Sequence, residues 1–288
     1  MKKRKWFWSV FFVVSVAILV THISITQGQN EANVIKEQLK NEYKPVSPLL
    51  PPGVTVKPGF EKGVGPVIGS AQMVQGDVLV VHNGQGVAYK LKKGSPLFTG
   101  DTLVTGERSR LNAIMNDKSG IGLAPVSKLV IDKSVYDPQK DERSSFLSLM
   151  WGRARFIVSK LMKGTPNYQV KTPTAVCGVR GTDFAIGVNN NGEMFPGVKG
   201  KATSGLNLVS TAHAAVPVMV TVIVVGPGGT VSVGTAQGSV TLTELQAAYA
   251  ALGMAPGTPV TLPLAEVMDT LNDVAPNLAA LSMPPEFD

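Results

Sequence analysis

Lys171–Val188 reads KTPTAVCGVRGTDFAIGV. Proline pushes the residue before it into extended backbone, so Thr172 starts the stretch as strand or turn rather than helix. Val176, Val179 and Phe184 are core candidates. Gly178 and Gly181 bracket Arg180, and glycine at such points permits a bulge or a close backbone approach. Arg180 therefore falls where a strand bends. Two roles are open to it. A buried guanidinium must have its donors paired, with Asp101 or Asp183 as partners. Alternatively, it presents that guanidinium to an anionic ligand. The candidate interaction or structural motif is Thr172, Pro173, Arg180, Gly181, Thr182 and Asp183.

Outward from this stretch the apolar period is mostly two. DVLVVH forms a strand ending at an Asn83-Gly84 turn, and Val87, Tyr89 and Leu91 alternate in the next. Gly94–Gly100 (GSPLFTG) reads as a turn. Leu111, Ala113 and Met115 alternate, as do Ile121 with Leu123 and Leu129 with Ile131. Asp137–Ser145 reads as a charged loop. In Phe146–Val158 the strand pattern resumes around Gly152, with Arg153 and Arg155 on one face and Ala154 and Phe156 on the other. The fold class expected is mainly β, with many short strands in a β-sandwich or solenoid-like roll and short C-terminal helices.

The N-terminus has the layout of a secretory signal. Lys2–Lys5 is positive, and Trp6–Val20 is an apolar run short of a comfortable bilayer span. Residues 1–28 are read as a signal peptide or an N-terminal anchor, cleaved near Thr26-Gln27-Gly28 or retained. Membrane contact is then confined to residues 6–25, if uncleaved. Residues 29–66 are a helical spacer and a Pro/Gly linker, 67–190 a β domain, and 191–288 a C-terminal β extension with short helices. In the tail, AAVPVMVTVIVV reads as a buried strand with Pro217 near its start. Residues 230–235 and 239–241 extend the sheet. Thr241-Leu242-Thr243-Glu244 offers a capping box for a helix over Leu245–Leu252, with Gly253 at its end. A second helix is expected over Leu264–Leu271, and Pro284–Asp288 is expected to fray.

The net charge of +7 is unevenly spread. Residues 190–288 carry two lysines and seven acids, a net −5, which leaves +12 on residues 1–189. That basic bias is either a solvated face or a surface for an anionic cell-wall polymer. The export signal argues against nucleic acid. The single cysteine, Cys177, excludes an intrachain disulfide and reads as a small buried hydrophobe, or as a reactive thiol if Arg180 lies close. His22, His82 and His213 have no carboxylate or cysteine at metal-ligand spacing, and no GxSxG, HExxH, GxxxxGK[ST] or EF-hand pattern occurs. No catalytic residue, cofactor or metal is assigned, and the chain is not expected to be an enzyme.

Thr172–Phe184 resembles the signature of the FecR-type domain, with Cys177 where that family commonly has Val and Asp183 where it often has Glu. Other landmarks follow in order: Gly76-Asp77-Val78, Gly94, Gly100–Thr105, Ser109-Arg110-Leu111, and Gly152-Arg153-Ala154-Arg155. The resemblance covers roughly residues 68–190. It implies an exported, β-rich module of the kind first known from iron-dicitrate signalling. The function expected is a non-enzymatic protein-interaction or sensory module of the periplasm or cell envelope. Its implied partner is an envelope protein or an outer-membrane transporter. An alternative is a structural envelope protein that binds an anionic polymer. Met1–Lys5 is too short for the cytoplasmic sigma-factor-binding segment of the signalling members.

Overall fold

The computed structural model describes residues 50, 53–57, 59–83, 85–161, 166–189 and 219–282. The export segment, the spacer, Pro217, His22 and His213 lie outside them. In chain order the first strands are β1 (Thr55–Lys57), β2 (Val67–Gln75), β3 (Val78–Val81), β4 (Val87–Lys90), β5 (Pro96–Phe98) and β6 (Thr102–Thr105). There follow β7 (Arg110–Met115), β8 (Gly120–Leu123), β9 (Lys128–Asp137), β10 (Glu142–Ile157), β11 (Pro166–Lys171), β12 (Val176–Val179) and β13 (Asp183–Asn189). The last are β14 (Val220–Val225), β15 (Val231–Thr235), β16 (Gly238–Leu242), β17 (Gln246–Ala251) and β18 (Val260–Thr261). Two helices end the described chain, α1 (Leu264–Val274) and α2 (Leu278–Ser282).

The strands make one large mixed sheet that runs as two ladders. The first has the hydrogen-bonded order β1-β4-β3-β6-β9-β10-β11-β12-β15-β16. The second runs β5-β2-β7-β8-β10-β13-β14-β17-β18. The chain passes from one ladder to the other after every one or two strands, which is the solenoid-like roll expected from many short strands and close turns. It is not a closed barrel.

Among the described strands, only β10 belongs to both ladders. Its first half pairs with β9 and β11, its second half with β8 and β13. The crossing falls at Gly152, whose φ of +84° is open to glycine and costly for other residues. A side chain there would also collide with Val126 and Ser127.

The period-two pattern explains which residues fill the roll. Across the first ladder, Ile131, Leu147, Val170, Cys177 and Val233 are register neighbours and all fully buried. Across the second, Leu111, Leu123, Ala154, Ile186, Ile223 and Ala248 form the matching buried row. The other face of the second ladder is also buried, because α1 and α2 lie on it. Ala185, Val222, Val224 and Ala247 there join Val267, Leu271, Val274 and Leu278 of the helices in one apolar cluster. β8 supplies the floor for this packing. A Cβ at Gly122 would overlap the Ala275 methyl, and Gly120 lies against Leu278 and Ser282.

Several expectations change. Leu245–Leu252 is not a helix: Gln246–Ala251 is β17, paired with β14. The alanines at 247, 248, 250 and 251 are small enough to be buried on both sides of a strand held between core and helix, and tertiary pairing overrides their helix propensity. The expected capping box is used otherwise. Glu244 accepts the Gly228 N–H at 2.9 Å, and Leu245 turns at φ +59°. The helix over Leu264–Leu271 continues to Val274, and Leu264 is exposed rather than on the buried face. Gly94–Gly100 contains β5, with Pro96 first in the strand, where its missing N–H is tolerated. Asp137–Ser145 is a tight hairpin rather than a long loop, since β9 and β10 run into its ends. The described part of the stretch read as linker is packed against the sheet. β1 pairs with β4, and Leu50 and Val54 cover Leu79, Val81 and Ala88.

Gly122→Val is expected to cost about 1–3 kcal/mol through overpacking beneath the helices. Thermal unfolding measures that cost. Hydrogen exchange is expected to rise in residues 264–282 before it rises in β10.

Candidate functional site

The motif residues at 172–175 sit in the turn between β11 and β12. Thr172 and Thr174 are buried there and clamp the turn onto the second ladder. The Thr221 hydroxyl donates to Thr172 Oγ1 at 2.8 Å, and the Thr174 hydroxyl donates to the Ala250 carbonyl at 2.9 Å. Thr182 works the same way one turn later. Its hydroxyl donates to the Thr230 carbonyl at 3.0 Å and accepts the Thr230 N–H at 3.1 Å. These short polar side chains satisfy backbone and each other where strands end, as buried hydroxyls must.

Arg180 and Asp183 are not a pair. Arg180 is exposed, and its guanidinium has no hydrogen-bond or ion-pair partner among the described residues. This overturns its reading as a buried structural cation. Arg155, on β10, is buried instead, 1 % exposed. Its Nε and Nη2 reach the two oxygens of Asp183 at 2.9 and 2.7 Å, a bidentate fork. Its Nη1 donates to Asn272 Oδ1 and to the Ala275 carbonyl, each at 3.2 Å. The sequence placed Arg155 on its correct strand face but gave no sign that the helix would end on it. Arg153 pairs with Asp273, and Arg110 donates to the carbonyls of Asp273 and Val274. Three arginines thus meet the C-terminal end of α1, where the unpaired carbonyls concentrate negative charge.

A second buried pair was not legible in the sequence. His82 and Asp101, nineteen residues apart, are both essentially inaccessible, with Nδ1 and Oδ1 separated by 2.7 Å. Asp101 Oδ2 accepts the Phe98 N–H at 2.8 Å. Burial pushes the Asp101 carboxyl up, against the opposing pull of His82 and the Phe98 amide. A carboxyl raised in the folded state contributes stability below its unfolded value, and that contribution is lost as pH rises through the raised value. The one available signal was Gly100-Asp101 opening the turn before β6. A third pair joins Arg143 Nη1 to Asp117 Oδ2 at 3.1 Å, with the guanidinium 5.3 Å from the Tyr168 ring centroid. Burial drives the Tyr168 hydroxyl well above its ordinary range.

The accessible feature on the motif is a groove of about 450 Å³. Lys171, Pro173 and Val176 form one wall, and Leu252 and Met254 the other. Val176, Leu252 and Met254 are 41 %, 48 % and 55 % exposed, a concentration of solvent-facing apolar side chains. Among the described residues, no cluster of three His, Cys, Asp or Glu is placed to hold a metal ion, and no helix is long and apolar enough to cross a membrane.

Arg155→Met leaves Asp183 facing an apolar partner and is expected to cost about 3 kcal/mol. Arg180→Met is expected to change stability by less than about 0.5 kcal/mol. Urea unfolding of the two variants distinguishes them, and equal losses would contradict the assignment. Cys177 is fully buried, with its thiol pushed up to about 12 by desolvation. It is expected to react with a maleimide at pH 8 only on unfolding, at the rate the chain opens.

No curated protein matches the chain significantly. Two crystal structures of a proposed anti-sigma factor from Parabacteroides distasonis ATCC 8503 are similar to it, at 11 % and 12 % identity and a TM-score of 0.38 each. Each alignment covers 58 % of this chain and 62 % of that one, so the chain spans less than two thirds of the length of these structures. The family model described as FecR protein matches residues 101–195, a stretch that runs from the buried Asp101 through β13 and includes Arg155, the threonine clamps and Asp183. The chain is therefore similar to the FecR family over residues 101–195.

Proposed function

We propose that this chain is a non-enzymatic interaction or sensory module of the cell envelope, and that it binds a protein partner through the groove beside Lys171–Val176. The observation that carries this is the composition of the groove. Its walls come from the FecR signature turn on one side and the β17 end on the other, and three of its side chains are exposed and apolar. Apolar side chains with one cation at the margin suit a protein surface better than a small polar substrate. The buried charged pairs support the same reading. Asp101, Asp117 and Asp183 are each engaged by a basic side chain, so these carboxylates are committed to structure.

Export rests on Lys2–Lys5 followed by the apolar run Trp6–Val20. Under this reading the partner is an envelope protein, with an outer-membrane transporter as the candidate implied by the family resemblance. The basic bias of residues 1–189 favours a second reading, binding to an anionic wall polymer, for which exposed Arg180 is a contact candidate.

A photo-crosslinking residue at Val176, in the full chain expressed in its own host, is expected to capture one membrane or periplasmic protein. Leu252→Glu is expected to reduce that capture about tenfold, the equivalent of about 1.4 kcal/mol. Capture that survives Leu252→Glu would remove the groove from the interface. Salt-sensitive co-sedimentation with purified wall polymer, lost in Arg180→Met, would select the second reading instead.

A further inference from the structure

The residues that precede β2 cross the roll beside His82 and Tyr89. The Glu61 carbonyl lies 2.9 Å from His82 Nε2, and the Glu61 carboxylate accepts the Tyr89 hydroxyl at 2.9 Å. Phe60 meets both rings edge-on, at 5.8 Å from His82 and 6.4 Å from Tyr89. Gly63 is pressed against His82 Nδ1 and the Phe98 ring, leaving no room for a side chain. Phe60–Gly63 is thus a strap with two polar anchors, the imidazole at the Glu61 carbonyl and the Tyr89 hydroxyl at the Glu61 carboxylate.

The protons on that imidazole can be counted. A carbonyl oxygen only accepts, so the contact with Glu61 requires a hydrogen on Nε2. The 2.7 Å contact between Nδ1 and Asp101 Oδ1 also requires a hydrogen, because a carboxylate and an imidazole lone pair repel at that distance. Both contacts are satisfied only while the His82–Asp101 pair holds its second proton, as imidazolium with carboxylate or as imidazole with carboxylic acid. Once that proton leaves, one ring hydrogen serves two acceptors. The charged carboxylate is the stronger acceptor and takes it at Nδ1. Nε2 then turns a lone pair on the Glu61 carbonyl, and the strap loses its backbone anchor, keeping only the tie from Tyr89 to the exposed Glu61 side chain.

We infer that His82 and Asp101 form a proton-operated latch that fastens the strap Phe60–Gly63 while their shared proton is in place and releases it as pH rises. The titratable and charged groups that face the pair are few. Glu61 lies on the strap, tied to Tyr89 and, at 3.5 Å, to the exposed Lys57. Tyr89 comes from β4, and its hydroxyl is raised by burial and by Glu61. Asp101 itself is pushed up by burial, the direction that keeps a proton on the pair. Release frees the strap without disturbing β3, β5 or β6, whose ladder bonds do not involve the imidazole. The latch therefore couples proton activity to the hold on the chain that enters the domain from its N-terminal side.

The test follows the strap and the ring together in the full chain. 4-Fluorophenylalanine is incorporated at all ten phenylalanines, and the Phe60 signal is assigned by its loss in Phe60→Leu. From mildly acidic to mildly alkaline pH, the Phe60 fluorine resonance is expected to move from a packed to a solvent-like shift. The His82 ring ¹⁵N signals are expected to change with the same midpoint. In Asp101→Asn the amide donates to Nδ1 and still accepts the Phe98 N–H, so Nε2 keeps its hydrogen and Phe60 stays packed across the range. A Phe60 resonance that ignores the His82 titration overturns the latch. So does an Asp101→Asn chain whose Phe60 moves as in wild type. The wild-type titration decides alone if Asp101→Asn does not fold.

Discussion

Everything in this molecule hangs on one strand that belongs to two ladders. β10 pairs with β11 up to Ser148 and with β9 up to Trp151, turns at Gly152, and then pairs with β8 and β13. A strand interior normally excludes such a turn, and glycine in left-handed backbone is what permits it. The turn sets the orientation of the next residues. Ala154 and Phe156 enter the roll, and Phe156 stacks on Phe184 with ring centroids 5.2 Å apart. Arg153 and Arg155 face the other way and meet the C-terminal end of α1. The roll and the helix cover are therefore specified by the same six residues.

Arg155 also explains why Asp183 stands at the start of β13. A guanidinium that is 1 % exposed needs a carboxylate with matching fork geometry and acceptors for its remaining donors. Asp183 supplies the fork, while Asn272 and the Ala275 carbonyl take Nη1. Without the helix end, two of these acceptors vanish. The cost of leaving the guanidinium half-paired then links helix docking to the sheet. Arg110 and Arg153 add charge at the same spot, and α1 carries Glu266, Asp269 and Asp273 with no cation. The acidic tail and the basic middle of the sequence are thus two sides of one internal contact, which accounts in part for a charge asymmetry that otherwise reads as a partner-binding surface.

The alternation of apolar residues made the strand content, the roll and the two faces of β10 legible, because a period of two carries burial directly. Long-range choices were not legible. Gln246–Ala251 has a helical composition, and only the presence of β14 beside it makes it a strand. His82–Asp101 joins the end of β3 to the turn before β6, and local spacing holds no trace of that meeting. Arg155 performs the role that the bracketing Gly178 and Gly181 suggest for Arg180, because sequence shows neither burial nor which carboxylate is nearer. The thirteen-residue signature located the motif, while the side chain that spends its charge there comes from a different strand.

The same accounting separates what is fixed from what is free to act. Thr172, Thr174, Thr182 and Asp183 have their hydrogen-bonding capacity consumed within the roll, so substituting them reports first on folding. Arg180, Val176, Leu252 and Met254 face solvent around the same turn. A scaffold that buries its polar residues in mutual pairs can leave its exposed apolar ones to a partner without weakening itself. That division places the recognition chemistry on the rim of the signature, and leaves its interior to architecture.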